Sequence, residues 1–112
     1  MLTILQIIAA AATILTGLFA LLRPNSITAF TGIQPVGGRG VTEIRAIFGA
    51  LLIALGVYPL VTGSQVAYAM LGVCYLAIGA VRLVSIFIDK SSVKSNWISL
   101  AVEIVLGVVL VL

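Results

Sequence analysis

Apolar residues run along this chain in four long blocks, and the stretches between them hold most of the charge. The first block, residues 2–22, contains no charged side chain and ends at Arg23-Pro24. A second uncharged stretch, residues 46–81, is too long for one membrane helix and is punctuated by Pro59 and by Gly63-Ser64-Gln65. Residues 89–95 are polar and carry Lys90 and Lys94, after which apolar residues dominate to Leu112. A hydrocarbon core of about 30 Å takes about 20 helical residues at a rise of about 1.5 Å each. The pattern predicts one all-α domain over residues 1–112, with spans near residues 2–22, 42–60, 66–88 and 96–112. The short second and third connections favour antiparallel neighbours, so the expected architecture is an integral membrane four-helix bundle.

The first connection is longer. Residues 24–31 read as a short helix with Pro24 near its start and Gly32 as its stop. Ile27, Phe30 and Ile33 suit the bilayer surface, which predicts an interfacial helix between the first and second spans. Gly37-Gly38-Arg39-Gly40 follows. It reads either as a flexible turn by which the chain re-enters the membrane or as an anion-binding nest at a helix start. No phosphate-loop or dinucleotide pattern accompanies it, which favours the turn.

Composition narrows the class further. Hydrophobic residues make up 62% of the 112 residues and charged ones 8%, with a mean hydropathy of +1.35. A soluble domain has about 25% charged residues, so six basic and three acidic side chains leave too little polar surface for one. The six basic residues form no dense patch of the kind a phosphate backbone needs, which excludes nucleic acid as a partner. The block 2–22 lacks a basic leader and is long enough to span, so it reads as a retained helix rather than a signal peptide. There is no histidine and a single cysteine, Cys74. The usual zinc and haem ligands and a dithiol redox centre are therefore missing, and no cofactor is expected.

What charge there is orients the chain. Arg23, Arg39, Lys90 and Lys94 fall in or beside the first and third connections, and the second has no basic residue. By the positive-inside rule those two connections face the cytoplasm and both termini face outward. Tyr58 and Tyr68 are then expected at the outer interface and Trp97 at the inner one.

Each span has one polar or small-residue face at helical spacing. These faces are Gln6, Ala10, Thr13 and Gly17 in the first span, and Thr42, Arg45, Gly49 and Gly56 in the second. In the third they are Gly72, Tyr75, Gly79 and Arg82, and in the fourth Asn96, Ser99, Glu103 and Gly107. Lipid tails give helices no hydrophobic reason to associate, so close approach at small residues and interhelical hydrogen bonds must do it. Gly17, Gly49, Gly56, Gly72, Gly79 and Gly107 are the expected packing positions.

Three charges lie within the spans. Arg45 is about 5 Å inside its span, Arg82 about 9 Å and Glu103 about 10 Å, all on the cytoplasmic side of an antiparallel threading. A charge near the bilayer centre costs at least about 2.5–3.5 kcal/mol on insertion scales, so such residues face inward and pair. The expectation is that Glu103 pairs with Arg82, that Arg45 shares the carboxylate and that Tyr75 is a hydrogen-bonding neighbour. Glu43 should instead sit at the positive start of its helix. The cluster has two readings: a proton, anion or amphiphile site, or an ion pair that fixes helix register while the arginines snorkel. One carboxylate without a second acid, a histidine or an activated nucleophile is not the material of an enzyme.

Gly37-Gly38-Arg39-Gly40 leading into Glu43-Ile44-Arg45-Ala46-Ile47-Phe48-Gly49 resembles the signature of a bacterial family of small four-helix membrane proteins of unknown function, grouped with the DoxX-like proteins. Gly79-Ala80-Val81-Arg82-Leu83-Val84-Ser85 through Asp89 is similar to that family's pattern after the third span. The resemblance covers nearly the whole chain and implies a four-helix bundle in the bacterial inner membrane. Some DoxX-like relatives are linked to oxidoreductase complexes or thiol stress, and Cys74 alone does not supply that chemistry. Small multidrug-resistance exporters share the size but carry a glutamate in the first helix, where this chain has no acid. The expected function is that of a non-enzymatic accessory or assembly subunit acting through helix–helix contacts, with the bilayer and a larger membrane complex or a homo-oligomer as partners. The alternative is a small transporter or lipophile-binding bundle centred on Arg45, Arg82, Glu103 and Tyr75.

Overall fold

The computed structural model describes residues 2–112. Four helices in it are long and apolar enough to cross a membrane. Helix α1 is Leu2–Leu22. A 3₁₀ turn, Pro24–Ile27, runs directly into one α-turn, Thr28–Thr31, and the two together form the short helix α2. Helix α3 is continuous over Gly37–Thr62, α4 is Gln65–Ile88 and α5 is Lys94–Val111.

The sequence places the start of α3 five residues late and its end two residues early. Pro59 does not stop the helix; it lies fully buried within it. Gly63 ends α3 in the left-handed region at φ 64°, where glycine pays no Cβ penalty, and its N–H reaches Pro59 O at 2.8 Å. Ser64 then caps α4 by accepting from Ala67 N–H at 3.3 Å. Two residues thus suffice to join α3 to α4. At the other end Gly37-Gly38-Arg39-Gly40 forms the first turn of α3 rather than a flexible lead-in, and Arg39 pairs with Glu43 one turn on. Glu43 therefore answers a side chain, not the helix terminus.

Helix α3 holds the largest departure from the expected pattern. Residues Ile44–Leu51 are π-helical, with hydrogen bonds reaching five residues instead of four. The wider turn rotates every earlier position relative to the face that follows it. Ile44, five residues before Gly49, shares Gly49's buried face, whereas Arg45 and Thr42 turn outward. Ile44 packs with Ala20 and Ile27 in a small buried cluster. Ile27 is only 7% exposed, so α2 is pinned by an inward side chain and only Phe30 and Ile33 remain on the surface. Gly32 stops α2 as expected, at φ 77° with its N–H on Thr28 O.

Helix α1 packs chiefly on α3, and α4 on α5; contacts between α1 and α5 and between α3 and α4 join the pairs. Glycine sets the closeness. A Cβ on Gly17 would lie 2.7 Å from Gly49 O, and one on Gly56 2.7 Å from Ala10 O. In the second pair a Cβ on Gly72 would lie 2.9 Å from Gly107 O, and one on Gly107 3.2 Å from Gly72 O. Gly79 differs, because a Cβ there would meet Glu103 Cβ and Leu100 Cδ1 at 3.7 Å, ordinary contact distance. Between the pairs lies a cluster of Ala9, Ala10, Tyr68, Leu71 and Leu110. Tyr68 is 3% exposed within it, so of the two tyrosines assigned to the outer interface only Tyr58 is on the surface.

These contacts rank the glycines. Gly17→Ala, Gly56→Ala and Gly72→Ala should each destabilise the fold by about 1–3 kcal/mol, because the obstacle is backbone that cannot turn aside. Gly79→Ala should fall within about 0.5 kcal/mol of the wild type. Unfolding of the four variants in detergent micelles checks the ranking; a Gly79→Ala loss equal to the others would refute it.

Candidate functional site

The polar side chains of the four faces meet in three places. Nearest the chain's start, Gln6 Nε2 donates to Gln65 Oε1 at 3.1 Å, tying α1 to the first turn of α4. One level on, Thr13 Oγ1 donates to Ala9 O at 2.9 Å and lies 2.5 Å from Tyr75 Oη. A hydroxyl has one proton to give, and Thr13 spends its own on Ala9, so the phenol is the donor in that pair. Both Gln6 and Thr13 are buried. Tyr75 thus faces inward as the spacing predicts, but its hydrogen bond goes to Thr13 of α1 and not to Glu103.

The third place is the ion pair. Arg82 on α4 meets Glu103 on α5 in a bidentate fork: Nε lies 2.8 and 3.1 Å from the two carboxylate oxygens, and Nη2 lies 2.8 Å from Oε2. The side chains are 30% and 10% exposed, so the carboxylate is desolvated while the guanidinium keeps one edge open. Nη1 donates to Asn96 Oδ1 at 2.9 Å. The Asn96 amide in turn donates to Ser91 O at 3.0 Å and Ser91 Oγ at 3.1 Å. Arg82 therefore holds α5 at two points and, through Asn96, the connection that precedes it. Planar guanidinium geometry suits this role, which a lysine ammonium could not fill.

Arg45 does not join the pair. The π-helical turn carries it outward, and its Nε donates to Leu21 O at 3.1 Å. The last carbonyls of α1 have no partner within their own helix, and a cation there also answers the negative helix end. Arg45 is a cap for α1, formed across from α3. The six glycines are spread along both helix pairs and line no common site.

Two polar residues matter more than the sequence indicated. Asn96 is on the same face as Glu103, two turns away, and that spacing was the available sign that both reach Arg82. Asp89 reads in sequence as a polar stop, yet it caps the C-terminal end of α4, the end where a negative charge is unfavourable. Arg82, Asp89 and Asn96 all line an open depression of about 600 Å³ at this end of α4. A smaller one, about 260 Å³, lies between residues 33–36 and α3 and includes Glu43 and Phe48. Among the described residues no group of histidine, cysteine and acidic side chains is placed to hold a metal. Buried side-chain nitrogens and oxygens all have partners there.

The fold and these contacts define an all-α protein with four helices long and apolar enough to span a membrane, locked internally by one bidentate ion pair. The chain belongs to the DUF4345 family, a domain of unknown function, which matches residues 1–112. No curated protein and no solved structure matches it.

Pair removal separates a holding role from an idle one. Glu103→Gln strands a largely desolvated arginine, and the loss should fall near the lower end of the about 3–5 kcal/mol typical of a broken buried pair, since Arg82 keeps an open edge. The double variant Arg82→Met/Glu103→Leu should recover most of that loss in thermal unfolding. A single variant as stable as the wild type would show that the pair does not hold α4 to α5.

Proposed function

We propose that this chain is a non-enzymatic integral protein of a bacterial inner membrane, folded as an antiparallel four-helix bundle, that serves as an accessory or assembly subunit through its outer helix faces. One observation carries this reading: the interior is closed by its own side chains, while the outer faces of the long helices are apolar. Gln6 with Gln65, Thr13 with Tyr75 and Arg82 with Glu103 engage the inward polar groups with one another. Leu15 at 66% and Val66 at 79% exposure are typical of the outside, a surface suited to lipid tails and to other membrane helices. The glycine contacts run in opposite chain order, Gly17 against Gly49 but Ala10 against Gly56, as antiparallel neighbours require. Contact between α2 and α5 supports the first and third connections sharing one end, and the four basic residues in and beside them support that end as cytoplasmic. Kinship with DoxX-like proteins rests on the Gly37–Gly49 and Gly79–Asp89 stretches alone.

A second reading, lipophile binding or transport near Arg82 and Glu103, is favoured by the open depression beside that pair.

Two measurements test the primary reading. In a Cys74→Ser background, a membrane-impermeant maleimide applied to intact cells should modify Ser64→Cys and spare Ser92→Cys; the reverse pattern inverts the topology. After mild solubilisation the protein should migrate with a larger membrane complex or as a defined oligomer. Recovery solely as a stable monomer would remove the subunit reading.

A further inference from the structure

The Asp89 backbone closes α4, but among the described residues its carboxylate makes no side-chain hydrogen bond and no salt bridge. It stands at the C-terminal end of α4, where the exposed carbonyls already make the surroundings negative. The salt bridges among the described residues join Arg39 to Glu43 and Arg82 to Glu103, and neither Lys90 nor Lys94 pairs with it. A carboxylate and a helix C-terminus together form a place where a cation is favoured twice over. One helical face leads from Asp89 through Ser85 to Arg82 and on to Ile78, and all four line the depression of about 600 Å³. Arg82 is not exhausted by its partners. Of the five N–H groups on a guanidinium, one Nε, one Nη1 and one Nη2 proton account for Glu103 and Asn96, which leaves two toward the open edge.

The order of groups along this groove is that of a phospholipid standing in the inner leaflet. Outermost is an acceptor for a cation, Asp89. Next come donors for phosphate and ester oxygens, Ser85 and Arg82, about 5 Å apart along the helix, with Arg82 about 10 Å from Asp89. Deepest are Val81, Ile78 and Ala77, against which acyl chains lie. We infer that the groove beside α4 is a binding site for a membrane phospholipid with a primary-ammonium headgroup, the ammonium on Asp89 and the phosphate and ester oxygens on Ser85 and Arg82. This rests on the reading of the four helices as membrane spans with the third connection at the inner surface. The primary ammonium is specified because it donates hydrogen bonds to a carboxylate, which a trimethylammonium group does not. A volume of this size lies within the about 300–1,000 Å³ of ordinary small-molecule sites.

The sole tryptophan, Trp97, packs edge-on against Phe87, on the face of α4 opposite the groove, so the reporter is placed on the groove wall instead, by Val81→Trp in a Trp97→Phe background. The full chain is reconstituted in phosphatidylcholine nanodiscs with a small fraction of brominated phosphatidylethanolamine, phosphatidylcholine or phosphatidylglycerol, and quenching of this groove tryptophan is compared. Phosphatidylethanolamine should quench with roughly three- to fivefold preference over phosphatidylcholine, the scale of one exposed ion pair. Asp89→Asn should bring that ratio to about one, while Glu43→Gln, which alters the carboxylate of the other depression, should leave it unchanged. Equal quenching by phosphatidylethanolamine and phosphatidylcholine, a preference that survives Asp89→Asn, or stronger quenching by phosphatidylglycerol would each overturn the proposal while leaving the membrane reading intact. Absence of quenching by any of the three would overturn both.

Discussion

Backbone-to-backbone closeness at glycine is the constraint on which the rest of this structure depends. Helices with apolar outer faces gain little from hiding those faces against each other in lipid, so they must be held by contacts that lipid cannot imitate. Gly17 against Gly49 and Gly72 against Gly107 bring main chains near enough that a single added methyl group would collide with a carbonyl oxygen. At that separation side chains of modest length can bond directly between helices. Tyr75 is long enough to reach Thr13 from α4 to α1, two helices that do not pack directly, and Arg82 forks onto Glu103 where α4 and α5 are already clasped at Gly72 and Gly107. The polar contacts therefore select the register of an arrangement that the glycines make possible.

The π-helical stretch follows from the same demand. Helix α3 must present Gly49 to Leu21 and Ile44 to Ala20 and Ile27, two positions five residues apart. A regular α-helix would rotate one of them away, and it would turn Arg45 toward the interior instead. Widening one turn satisfies both apolar contacts and moves the arginine out to the unpaired carbonyl of Leu21. A desolvated second cation beside a single carboxylate is avoided by a change in backbone geometry, not by a change of residue.

Much of this was legible in the chain. Blocks of uncharged residues long enough to span locate all four long helices, and spacing by threes, fours and sevens identifies Gln6, Thr13, Tyr75, Arg82 and Glu103 as inward. What periodicity could not carry was a change in the period itself: extrapolating 100° per residue through residues 44–51 puts Arg45 on the wrong face. Nor does composition reveal how near two backbones come, so Gly79 and Gly72 look alike in sequence although only Gly72 meets a carbonyl oxygen within 3 Å of an added Cβ. Pro59 misled for a related reason. A proline is a good stop signal on a helix surface, but one whose missing N–H and ring are accommodated by packing continues the helix.

The distribution of polarity along the molecule bears on where it acts. The α3–α4 end is closed by two residues, Gly63 and Ser64, and the polar contact near it, Gln6 with Gln65, is a neutral amide pair. The two longer connections are each flanked by an open depression, and beside the third connection stand the Arg82–Glu103 pair and Asp89, whose carboxylate has no partner among the described residues. A protein that needed only to fold in a bilayer would gain nothing from an acid at the negative end of a helix, and replacing it by a neutral residue would relieve an unfavourable interaction. Its presence next to an arginine with unused donors puts two opposite charges at fixed separation on one open face. That arrangement discriminates among zwitterionic molecules by the spacing and hydrogen-bonding capacity of their charges, which neither an apolar groove nor a uniformly basic surface can do.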